Sequence, residues 1–78
     1  MYMIIYWVNN KIVYPLLNKD GGLYLFDTLK EADEVADNVE NNSYKIDTDK
    51  IKFVSENAEP TINDEVESRV ISIERVKE

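Results

Sequence analysis

The chain has neither cysteine nor histidine among its 78 residues. Without cysteine no disulfide can brace the fold, which excludes the cross-linked architecture of small secreted domains. Losing both residue types also removes the usual ligands of structural zinc. The same absence closes Ser-His, Cys-His and thiol chemistry. Glycine is almost as scarce, and the only two, Gly21 and Gly22, are adjacent. A phosphate loop would need a helix straight after such a pair and a lysine at a set position, whereas a strand is predicted there. A turn requiring positive φ is the expected role. Long apolar runs are missing as well. Residues 1–8 are apolar, but no basic segment precedes them and Asn9-Asn10-Lys11 interrupts them. A signal peptide needs a longer run and a membrane span needs about 20 residues. The expectation is a cytoplasmic protein.

Positive charge is in short supply. Nine basic residues stand against 16 acidic ones, for a formal net charge of −7. Such a chain repels phosphate backbones and anionic membrane surfaces, so neither nucleic acid nor membrane is an expected direct partner. A hydrophobic content of 44% is that of a folded protein rather than a disordered one. The length predicts one domain over residues 1–78, burying only about 60% of the surface its unfolded form exposes. With no cofactor, metal or disulfide expected, apolar packing must stabilise it, helped if need be by a partner chain.

Residues 2–8, YMIIYWV, carry the β-branched and aromatic side chains of a strand. Alternation sends Tyr2, Ile4, Tyr6 and Val8 to one side and Met3, Ile5 and Trp7 to the other. Both sides are apolar, the pattern of a central strand covered twice. Asn9-Asn10 supplies a turn, because asparagine tolerates positive φ. Residues 11–17 return as a second strand, placed at an edge or bulged because Pro15 cannot donate to a ladder. Asn18-Lys19-Asp20-Gly21-Gly22 is the strongest turn signal, followed by a short third strand over 23–26.

Thr28 with Glu31 three residues on forms a capping box that opens a helix. Leu29, Ala32, Val35, Ala36 and Val39 then fall in a stripe roughly 120° wide, enough to seat it on a sheet. Asn41-Asn42 ends it. Tyr44 and Ile46, then Ile51 and Phe53, alternate with polar residues as one bent strand or two short ones. Residues 55–67 are polar and acidic and read as a loop, with Ile62 and Val66 tacked to the body. Residues 69–76 form the last strand.

The predicted fold is therefore α+β, with element order β-β-β-α-β(β)-β. Four to five mostly antiparallel strands form one sheet, and one amphipathic helix packs on one face. A single helix leaves the second apolar face of the first strand to be covered by the 55–67 loop or by another chain.

No constellation points to an enzyme. The serines and threonines have no neighbouring base, and no spacing pairs two carboxylates across a cleft. Asp47-Thr48-Asp49 begins like an EF-hand loop but lacks the glycine and the glutamate at the twelfth position. Asn63-Asp64-Glu65 reads as loop rather than as a metal site. Stacking of the aromatic residues on single-stranded nucleic acid would need interleaved basic residues, and the first 18 positions contain only Lys11.

Two surfaces remain. Core packing is the default for large aromatics, yet Tyr6, Trp7 and Tyr14 are candidates for an apolar protein-binding sheet face. On the helix, Glu31, Glu34 and Asp37 head an acidic face with Asp33 and Glu40. Solvation is the ordinary role of such a face. The sharper alternative is a mimic of a phosphate backbone that occupies the basic groove of a DNA- or RNA-handling protein. Small acidic inhibitors of that kind resemble this chain in size and charge. The preferred reading is a non-enzymatic domain that binds a protein partner or itself.

Overall fold

A computed structural model describes residues 1–41 and 50–74. Its first strand, β1 (Tyr2–Val8), runs through the middle of a three-stranded antiparallel sheet. On one side lies β2 (Val13–Pro15), with Tyr6 opposite Tyr14. On the other lies β5 (Val66–Ser72), paired along the whole length of β1 from Tyr2↔Ser72 to Val8↔Val66. A second, two-stranded sheet joins β3 (Leu17–Asn18) to β4 (Ile51–Lys52). The helix α1 (Leu29–Glu40) packs against β5 and β1. The fold is thus small α+β with one α-helix among the described residues, but the strands divide between two sheets where one was expected.

The local signals acted largely as their chemistry predicts. Asn9 and Asn10 both adopt positive φ, 53° and 57°, as a type I′ turn requires. In the second turn, Gly21 takes φ 89°. There the Asn18 side-chain oxygen accepts from the N–H groups of Asp20 and Gly22 at 3.0 and 3.1 Å. Thr28 caps α1 by accepting from the Glu31 N–H at 3.2 Å. At the other end Asn41 takes the C-cap position and donates to Asp37 O.

Several expectations need correction. The strand expected over 11–17 breaks at Leu16. Its N–H donates to Ile4 O in one sheet, while its carbonyl accepts from Tyr24 N. Buried to 1% exposure, Leu16 is the joint between the sheets. The strand expected over 23–26 reduces to two isolated bridges, Leu17↔Leu23 and Tyr2↔Phe26, because each end meets a different sheet. The last strand begins at Val66 rather than 69, since β1 offers partners as far as Val8, and its ladder ends at Ser72. The 55–67 segment holds a 3-10 turn, Glu56–Ala58, and it buries Ala58 and Pro60. Ile62 is 78% exposed and is not tacked down. Tyr44, Ile46, the Asp47-Thr48-Asp49 motif and Val76 lie outside the described residues.

The core lies between α1 and one face of the sheet. Ile4, Tyr6, Leu16, Phe26, Ala32, Ala36, Val39 and Ile51 form it, with Val66 and Val70 of β5 packed alongside. Leu29 was expected in the helix stripe, yet it is 49% exposed. At 100° per residue it falls at the rim of the apolar arc, next to Glu40 and Asp33, and it lines an open groove beside Val70.

Candidate functional site

Alternation along β1 gives the sheet two faces. Ile4 and Tyr6, both fully buried, point to the helix side. Met3, Ile5 and Trp7 point to the far side and are half-buried. The ladder registers place Pro15 and Arg69 beside Ile5, Val13 and Glu67 beside Trp7, and Ile71 beside Met3. The far face is therefore an apolar strip along β1 and β2, with charge confined to β5. The Trp7 indole N–H donates to a Glu67 carboxylate oxygen at 3.0 Å, which fixes the ring across the sheet surface. Val13 on this face is 52% exposed.

The three aromatic candidates separate accordingly. Only Trp7 lies on the far face. Tyr6 is withdrawn into the core, where its hydroxyl donates to Ala58 O at 2.6 Å and its ring meets Phe53 edge-on at 6.2 Å. Tyr14, opposite Tyr6 with ring centroids 5.9 Å apart, packs against the same core. The period-2 alternation already set Tyr6 against Trp7. It also marked Met3 and Ile5, which the aromatic criterion passed over. The bond from Tyr6 to Ala58 answers a second question. The Tyr6–Ala58 bond ties the 55–67 segment to the helix side of the sheet, where it closes the core, while Met3, Ile5 and Trp7 on the far side keep part of their surface exposed.

Both edges of the three-stranded sheet carry a block against strand addition. Leu16 N bonds to Ile4 O, so by antiparallel alternation Pro15 stands where an N–H would point away from β1. An added strand would find no donor there. On β5, Asn9 N donates to Glu65 O and Ile73 N to Met1 O, so odd-numbered residues pair with β1. Even-numbered residues face outward. The outward Ser68 N–H is taken by the Glu40 carboxylate at 2.9 Å, which also accepts from the Ser68 hydroxyl at 2.9 Å. Glu40, counted with the acidic face, thus has a structural task.

Glu31, Glu34 and Asp37 are all exposed on α1, together with Asp33. Asp33 and Asp37 overlook the groove between α1 and β5. Near the Asn9-Asn10 turn, Asp64 acts as a clasp. It accepts from the Thr61 N–H at 2.7 Å, the Thr61 hydroxyl at 3.0 Å and the Asn9 amide at 2.8 Å. The Thr61 backbone N–H, then the Asn9 and Thr61 side chains, hold its carboxyl below the usual carboxylate range. Asn9 in turn accepts from Glu65 N at 2.9 Å, so the segment before β5 is tied to the hairpin tip. A hollow of about 360 Å³ beside this clasp is lined by Ile12, Tyr14, Lys11 and Asn57 among others. Among the described residues no acidic cluster could hold a metal ion.

No protein-family model, curated protein or solved structure matches this chain. No helix among the described residues is long and apolar enough to cross a membrane.

Proposed function

We propose that this is a non-enzymatic, cytoplasmic protein-interaction domain that works through the far face of its three-stranded sheet. The observation that carries the reading is the division of β1. Ile4 and Tyr6 are buried in the core under α1, with Tyr2 and Val8 partly buried beside them, while Met3, Ile5 and Trp7 line a continuous apolar strip on the other side. A contiguous apolar strip rimmed by charge is the usual mark of a contact surface on a small protein. Trp7 supplies the large, rigid, partly polar side chain that dominates interface energetics. Blocked sheet edges favour contact through the face over strand addition.

The test is the solvent accessibility of methyl groups in dilute protein, read by relaxation from a neutral gadolinium chelate. Strong relaxation at Met3, Ile5 and Ile71, with Ile4 and Val39 protected, supports the reading. Equal protection of Ile4 and Ile5 in the monomer overturns it.

A second reading uses the exposed carboxylates Glu31, Glu34 and Asp37 as a mimic of a nucleic-acid backbone toward a basic protein. Their exposure, in contrast to the engaged Glu40, favours it. Binding of that kind weakens steeply with salt and is lost on reversing the charge of Glu34 and Asp37. Salt-independent binding would count against it.

A further inference from the structure

We infer that the occupant of the far face is a second copy of this chain, packed face to face about a two-fold axis between the Ile5 and Trp7 rows. The inference rests on the proposed interaction face and names its partner.

Two adjacent rows carry the argument. One row reads Pro15, Ile5, Arg69 across the sheet, and the next reads Val13, Trp7, Glu67. A two-fold axis in the interface plane, perpendicular to the strands and between these rows, exchanges them. Ile5 then meets the partner's Trp7, Pro15 meets the partner's Val13, and Arg69 meets the partner's Glu67. An isologous interface requires such self-complementarity, with each residue of a pair appearing once on each side. Glu67 has one oxygen on the Trp7 indole, which leaves the other for a guanidinium. The apolar pairs and the charged pairs fall into place with the same axis, and no further adjustment is needed.

The distribution of charge permits this despite a net charge of −7 on each copy. The acidic helix lies on the opposite side of the sheet from the contact. With sheets about 10 Å apart and each helix a layer further out, the two helices stand roughly 30 Å from each other. That is more than three Debye lengths at physiological salt, about 8 Å each, so their repulsion is screened. At low salt the repulsion returns, and dimerisation weakens.

Size sets the strength. Two seven-residue strands and the three-residue β2, about 4.8 Å apart, give a face of about 270 Å². Stable complexes bury about 800 Å² per partner, so this dimer is weak and exchanges rapidly. Twist between packed sheets carries the outermost rows apart and adds little.

Sedimentation equilibrium up to millimolar concentration tests the proposal on the wild type, Arg69→Glu, Glu67→Arg and the double exchange. Either single change sets two like-charge pairs across the axis and weakens dimerisation by about tenfold, or about 1.4 kcal/mol. The double exchange restores the pairing and recovers most of the affinity, short of the Trp7–Glu67 bond that it removes. A wild-type chain that stays monomeric at millimolar concentration overturns the inference. So does a dimer whose affinity the double exchange fails to recover. If the methyl groups of Ile5 and Ile71 are nonetheless exposed in dilute protein, the interaction face stands and its partner is a different protein. If they are protected in the monomer, the face itself falls.

Discussion

The two faces of the same strand differ in how completely the chain finishes them. On the helix side, Ile4 and Tyr6 have no accessible surface and the Tyr6 hydroxyl is satisfied by Ala58 O. On the far side, Met3, Ile5 and Trp7 carry comparable apolar bulk, yet each keeps part of its surface exposed. A chain of 78 residues has enough apolar surface for one sealed core. The surplus on β1 is what a stability argument does not explain and what the proposed association would use.

The contrast is broken most severely by paired truncations. Ile4→Ala should destabilise the monomer by about 2–5 kcal/mol through the cavity it leaves under α1. Ile5→Ala, one residue away, should cost clearly less than Ile4→Ala in dilute protein, because its side chain keeps part of its surface in water. Chemical denaturation of both variants checks this, and similar losses would mean that the faces are alike. A smaller effect sharpens the core side alone. Tyr6→Phe keeps the ring and removes the bond to Ala58, at a cost of about 1–2 kcal/mol. The variant should also loosen the 3-10 turn, seen as faster amide exchange around Ala58.

The smallest effect concerns the clasp that ties the segment before β5 to the hairpin. Asp64 has a depressed pKa in the folded chain against an ordinary value of 3.8. Its contribution is therefore complete above the ordinary value and is lost as pH falls through the depressed one. The stability difference between wild type and Asp64→Asn should be constant near neutrality and close only below about pH 4. Thermal melts from pH 7 to pH 2 check it. A difference that closes near pH 6 would assign the clasp to another group.

Much of this contrast was legible in the residues. Period-2 alternation separated Tyr6 from Trp7, Asn9-Asn10 and Gly21 marked the positive-φ turns, and Thr28 marked the helix start. Each of these is decided within a few positions by backbone sterics or one hydrogen bond. What was not legible depended on distant partners. Leu16 became a joint because Ile4 and Tyr24 both bond its backbone, and residues 23–26 were divided because Leu17 and Tyr2 compete for them. Tyr14 looked available until the register set it opposite Tyr6, on the core side. The Arg69–Glu67 rows likewise emerge only once β5 is aligned with β1.

Trp7 is the only tryptophan in the chain and sits on the face in question, so its fluorescence reports on that face alone. Acrylamide quenching across a dilution series is the direct measurement. The account predicts a ring that is readily quenched in dilute protein and progressively shielded as concentration rises toward millimolar, with Ile5→Asp abolishing the shielding. A ring that is shielded at every dilution, or equally quenched at every concentration, would contradict it.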